Sequence, residues 1–126
     1  MSFILVVDDE FDLLETVRSI LEGEGYRVVS CESGARALEI MRRERPALVL
    51  LDIMMPGLDG FATLAKIRAE SSWDDVPVVL MSAVRPSIAQ NGPRVDGFVK
   101  KPFTLMELLD LADVHAGKPE RQRDTA

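Results

Sequence analysis

The chain has 126 residues, 47% of them hydrophobic, and a formal net charge of −6. That length suits one domain with a real core, and the apolar content excludes wholesale disorder. The acidic balance argues against a non-specific nucleic-acid binder, because a phosphate backbone would repel it.

In chain order, residues 3–7 form a continuous apolar run of strand length, the pattern of a strand covered on both faces. The run stops at three carboxylates, Asp8, Asp9 and Glu10. Phe11, Leu14, Val17, Ile20 and Leu21 then recur at three- and four-residue spacing, which predicts a helix that Gly23 and Gly25 end. Residues 26–31 read as a short second strand. Ser33 is placed to cap a helix over 34–44 that turns Ala37, Leu38 and Met41 inward. Residues 47–51 are a third apolar run, again closed by an acid, Asp52. The Pro-Gly pair of IMMPGLDG marks a loop, and Asp59 caps a helix to about Ala69 with Leu64 and Ile67 facing the core. Residues 76–81 are a fourth run, closing on Ser82. Gly97–Lys100 fits a fifth strand, and Thr104 caps a last helix through about Val114. From Gly117 onward the chain is polar.

Strand–helix alternation of this kind predicts an α/β fold: a doubly wound, five-stranded parallel sheet of the flavodoxin-like (βα)5 type. The fourth crossover helix, between Ser82 and Phe98, is expected to be shortened or irregular. Pro86 suits a first helical turn, but Asn91-Gly92 reads as a left-handed stop and Pro93 does not continue a helix. In such sheets ligands sit beyond the carboxyl ends of the strands. Asp8, Asp9, Asp52, Ser82 and the lysines Lys100 and Lys101 therefore converge.

This inventory has a chemistry. Neighbouring carboxylates repel by an amount on the order of a few kcal/mol per pair at close range, and a bound cation offsets it. Hard oxygen ligands select Mg²⁺ or Mn²⁺, and no His or Cys cluster supports zinc, His115 standing alone as a solvated residue. Asp52 is placed to be a nucleophile, since carboxylates form acyl phosphates. A single acid at a strand end is commonly a turn residue or a cap; joint placement after four strands is what makes a site. The lone cysteine, Cys31, excludes an internal disulfide and fits a reducing compartment. No run approaches the roughly 20 apolar residues of a membrane helix, and the apolar N-terminus is too short for a signal peptide, so a cytoplasmic location is expected.

ILVVDDE, LVLLDIMMPGLDG, VVLMSA and FVKKPF, in that order, resemble the receiver domain of two-component response regulators across about residues 3–114. The resemblance implies a signalling switch in which Asp52 accepts a phosphoryl group from a histidine kinase or a histidine phosphotransfer protein, with Mg²⁺ as cofactor. It implies that Asp9 and Asp52 bind the metal directly with the backbone carbonyl of Met54, while Asp8 acts through water. Ser82 would bind a phosphoryl oxygen, and Lys101, before a cis Pro102, would pair with phosphorylated Asp52. Ser82 and Phe98 would form the switch, Phe98 standing where the family often has a tyrosine, without its hydrogen-bond donor. Met54 and Val84 would flank the water that hydrolyses the acyl phosphate. The expected organisation is a receiver over residues 1–116 and a polar tail over 117–126. It would stand alone and act through contacts with a downstream protein, without touching nucleic acid or membrane and without enzymatic turnover beyond its own phosphorylation and dephosphorylation. Two rivals are a phosphorylation-independent pseudo-receiver that only docks, and a Mg²⁺-dependent phosphohydrolase of the haloacid dehalogenase type. The latter wants a second Asp where Met54 stands.

Overall fold

Three strands are buried at every residue: β1 (Ile4–Val7), β3 (Leu48–Asp52) and β4 (Val78–Ser82). Two are buried only in part: β2 (Val28–Cys31) and β5 (Gly97–Lys100). The difference follows from position, because the sheet is parallel throughout with order β2-β1-β3-β4-β5, and the two partly exposed strands are its edges. This is the flavodoxin-like order, and the chain direction across the sheet reverses between β1 and β3. The computed structural model describes residues 2–55, 59–83 and 92–117.

The helices are α1 (Phe11–Gly23), α2 (Gly34–Arg43), α3 (Gly60–Ala69) and α4 (Leu105–Ala116). Alternate strand residues point to opposite faces. Leu5, Val7, Val49, Leu51, Val78 and Leu80 pack with Leu38 and Met41 of α2 and Leu64 and Ile67 of α3. Ile4, Val6, Leu48, Leu50, Val79 and Met81 pack with Leu14, Val17 and Leu21 of α1 and Leu108 and Ala112 of α4. Both faces of the sheet are thus covered, which is why the strands read as unbroken apolar runs.

Local signals explain the helix ends. Ser33 accepts a hydrogen bond from the Arg36 N–H at 3.2 Å, and Asp59 accepts one from Ala62 at 2.8 Å. Gly25, at φ 102°, lets the chain turn after α1 in a conformation that a side chain would oppose. At α4 the Thr104 hydroxyl accepts from the Glu107 N–H at 3.1 Å, while the Glu107 carboxylate accepts from the Thr104 N–H at 3.0 Å. Thr104→Ala removes one half of this reciprocal cap and is expected to cost about 1 kcal/mol, read as a thermal midpoint lowered by a few degrees.

Two features depart from the sequence pattern. Phe11 shares the spacing of the core residues of α1 yet is 64% exposed: it is the first residue of the helix, and side chains tilt toward a helix N-terminus. A single 3-10 turn, Ser71–Trp73, follows α3 and seats Trp73 in the core. The expected fourth crossover helix falls on residues 84–91, outside the described residues; residues 92–96 form neither helix nor strand.

Two polar clasps close the fold. At the end of the sheet where the strands begin, the Arg68 side chain donates to the carbonyls of Arg94 (3.0 Å) and Trp73 (3.2 Å) and to the carboxylate of Asp96 (2.9 Å). Asp96 also accepts from the Val78 N–H at 2.8 Å. On the other face, the Tyr26 hydroxyl lies against the Asp113 carboxylate and 2.9 Å from the Gly117 carbonyl, joining the start of β2 to the end of α4. Among the described residues no helix is long and apolar enough to cross a membrane.

Candidate functional site

Register decides which residues meet. Val7 lies opposite Leu51, so the next residue of each strand brings Asp8 beside Asp52. Asp52 in turn lies opposite Met81, and Ser82 opposite Lys100, which places Ser82 and Lys101 at the same end of the sheet. Ligand oxygens of Asp8, Asp9 and Asp52 all lie within 4.8 Å of one another. Asp8 and Asp52 are buried and Asp9 is exposed, so the cluster opens to solvent on one side.

Each buried carboxylate has one oxygen held by its own backbone. Asp8 Oδ1 accepts from the Glu10 N–H at 2.9 Å, and Asp52 Oδ1 accepts from the Met54 N–H at 3.1 Å. The other oxygens face Lys101, whose Nζ is 2.6 Å from Asp8 Oδ2 and 3.7 Å from Asp52 Oδ2. Lys101 is held by the main chain, its N–H donating to the Ser82 carbonyl at 2.8 Å, and the Lys101–Pro102 peptide is cis. Of the two neighbouring lysines, Lys101 has a mostly buried side chain at the acids, whereas Lys100 is exposed.

Electrostatics follow from this crowding. Burial pushes the Asp52 carboxyl above its ordinary value; Asp8 and Asp9 push the same way, against the Met54 N–H and Lys101. For Lys101, burial pulls the ammonium down, but the hydrogen bond it donates to Asp8 and the charges of Asp8, Asp52 and Glu10 outweigh it and leave the pKa raised. Lys101 therefore stays charged at neutral pH. Because the folded-state pKa of Asp52 lies above its unfolded value, stability falls as pH rises through that interval, and at neutral pH the Asp52 charge disfavours the metal-free fold.

Ser82 is buried and Phe98 half-buried, the latter opposite Leu80 on β4 and packed on the core. Met54 is 74% exposed just beyond Asp52. His115, expected to be freely solvated, is half-buried: a Cβ on Gly97 would lie 3.3 Å from its Nε2, so it rests on the start of β5, away from the acids. Glu10 was not among the expected site residues, yet its carboxylate is 3.5 Å from Lys101 Nζ. The third acid of the DDE run was the available signal. Cys31, at the end of β2, is buried, and burial first of all pushes its thiol up to about 11. Its alkylation by iodoacetamide at pH 8 is expected to run more than about a hundredfold slower than that of free cysteine, climbing only as pH approaches 11.

The donor set suits a hard divalent cation. Three carboxylates within mutual reach, open to water at Asp9, match the oxygen-rich, partly hydrated shell of Mg²⁺, and the cluster holds no His or Cys to favour zinc.

Comparison with known proteins agrees. The family model of the response regulator receiver domain matches residues 4–113. The response regulator MprA of Mycobacterium leprae is 38% identical over 109 residues, covering 84% of this chain and 47% of that protein. The probable transcriptional regulator ycf27 of Porphyra purpurea is 41% identical over 108 residues, covering 83% of this chain and 43% of that protein. The chain thus spans about half the length of the curated relatives it matches. Among solved structures, the receiver domain of NtrX from Brucella abortus aligns with a TM-score of 0.77 at 31% identity, covering 90% of this chain and 97% of that one. A CheY-like response regulator receiver domain protein from Methanospirillum hungatei aligns with a TM-score of 0.82 at 28% identity, covering 92% and 94%. With the matched span running from the first residue of β1 into α4, and enclosing every acid of the cluster together with Ser82 and Lys101, the chain belongs to the response regulator receiver domain family.

Proposed function

We propose that residues 1–116 act as a phosphoacceptor switch, with residues 117–126 as a polar tail, in which Asp52 takes a phosphoryl group from a histidine kinase or histidine phosphotransfer protein. A downstream protein reads the change through protein–protein contacts. The observation that carries this reading is a buried Asp52 with one oxygen held by the Met54 N–H and the other turned toward a charged lysine.

In the reaction Asp52 Oδ2 attacks phosphorus; the new O–P bond forms as the donor's N–P bond, or the O–P bond of acetyl phosphate, breaks and its electron pair leaves with the donor. The Met54 N–H keeps Oδ1 out of the way and orients Oδ2. Lys101 moves from Asp8 toward the phosphoryl oxygens as their charge arrives, and the Ser82 hydroxyl donates to one of them. Asp9, Asp52 and the Met54 carbonyl would hold Mg²⁺ or Mn²⁺, with Asp8 acting through water, and the bound ion would supply positive charge to the transferring group. Phe98 can repack as Ser82 is drawn to the phosphoryl group, but it offers no hydrogen bond.

Incubation with Mg²⁺ and acetyl phosphate, followed by intact-mass measurement, tests the reading. The expected result is one phosphoryl group gained by the wild type and none by Asp52→Asn. No gain by the wild type with any donor would overturn it and favour a domain that only docks. The acyl phosphate should also be long-lived, since Met54 and Val84 carry no group able to orient water. Met54→Asn with Val84→Glu is expected to speed its loss about tenfold or more, followed by the decay of the phosphorylated mass.

A further inference from the structure

The geometry points to Gly60 as a positioning residue for Asp52: by lacking a Cβ it lets α3 bear directly on the main chain at the end of β3 and hold the nucleophile in line with Lys101. The inference rests on the phosphoacceptor reading of Asp52.

A Cβ built on Gly60 would stand 2.4 Å from the Asp52 carbonyl oxygen, 2.4 Å from the Ile53 Cα and 3.0 Å from the Asp52 carbonyl carbon. All three are main-chain atoms, so no side chain can swing aside. Gly23 and Gly97 differ. Around Gly23 nothing lies within 4 Å, and at Gly97 the nearest atoms belong to the side chains of His115 and Val79. Farther along α3, Leu64 and Ile67 meet the core through ordinary apolar side chains. The helix therefore touches backbone where the phosphoacceptor sits and packs conventionally beyond it.

The start of α3 is also fastened. Asp59 caps it through the Ala62 N–H, and the Asp59 carbonyl accepts from both the N–H (2.9 Å) and the hydroxyl (2.8 Å) of Thr63, which is fully buried. On the other side, the Ile53 N–H donates to the Met81 carbonyl at 3.3 Å. The Asp52–Ile53 peptide is thus held between the first turn of α3 and β4. Relief of a 2.4 Å approach to ordinary contact takes about 1 Å of movement, and a misplacement of that size can cost about a hundredfold in rate. Any such shift moves Asp52 Oδ2 relative to Lys101 and to the oxygens of Asp8 and Asp9.

Gly60→Ala tests this beside Ile67→Val, a buried change in the same helix remote from Asp52. Two quantities are read on each: Mg²⁺ affinity by calorimetry, and the rate of phosphorylation at saturating acetyl phosphate. For Gly60→Ala both are expected to fall about tenfold or more, with Ile67→Val staying within about twofold of wild type despite its own loss of stability. Wild-type affinity and rate in a folded Gly60→Ala would overturn the proposal. Should that variant unfold, the measurements are repeated in trimethylamine N-oxide, which favours the compact state. A protein unfolded even there would place the close approach in the fold alone and overturn the proposal too. Should the wild type take up no phosphoryl group, the reading of Asp52 fails separately and the Mg²⁺ titration alone decides the role of Gly60.

Discussion

Lys101→Met is expected to destabilise the metal-free protein by about 3–5 kcal/mol, the range for removing one partner of a buried ion pair. Methionine keeps the length and apolar stem of lysine, so packing is nearly preserved while the charge is lost. Asp8, fully buried, then keeps a carboxylate oxygen without its 2.6 Å partner, beside a buried Asp52 of the same sign. Urea unfolding in a chelator reads the loss. Adding Asp8→Asn to Lys101→Met should return much of it, because the uncompensated charge disappears with its partner, and the double-mutant cycle isolates that coupling. A loss under about 1 kcal/mol in the single variant would show that water substitutes for the lysine at Asp8.

The second large effect is that of the metal. Ions that bind the folded state alone stabilise it by mass action, about 2.7 kcal/mol at a hundredfold excess over the dissociation constant. Mg²⁺ is therefore expected to raise the thermal midpoint of the wild type, and removing it with chelator to reverse the rise. Asp9→Ala removes both a repulsion and a ligand, so the metal-free variant should melt higher than the metal-free wild type while its response to Mg²⁺ collapses. A variant that still rises with Mg²⁺ as steeply as the wild type would show that Asp9 is not a ligand. The same sign holds at Asp52: with its pKa raised by burial, Asp52→Asn should stabilise the metal-free fold at neutral pH.

Much of this architecture was legible before any coordinates. Continuous apolar runs specify strands covered on both faces, and the acids that close the first and third runs had to meet once those strands paired in parallel. Asp52 could be named because it closes an apolar run, whereas only the family resemblance, through the lysine before Pro102, separated Lys101 from Lys100. What escaped depends on distances that no local pattern encodes. Glu10 reaches Lys101 because the chain turns at Asp8, and the turn is made by a side chain accepting from the backbone. The seat of Trp73 comes from a three-residue turn too short to show a period. Gly60 reads locally as the residue after a cap; its reason lies in the main chain of Asp52 and Ile53, across a loop.

The bond between Tyr26 and the end of α4 bears on where this domain can be cut. The family match stops at residue 113, at the residue whose carboxylate meets the Tyr26 hydroxyl. A fragment ending there would keep Asp113 in a fraying last turn, place a new terminal carboxylate beside it, and discard the Gly117 carbonyl that shares the hydroxyl. Tyr26, 9% exposed, would then meet the end of α4 through a loosened contact with Asp113. Fragments carried through Gly117 keep both of these acceptors and the whole of α4, whose last turn lies past the residues that the family match covers.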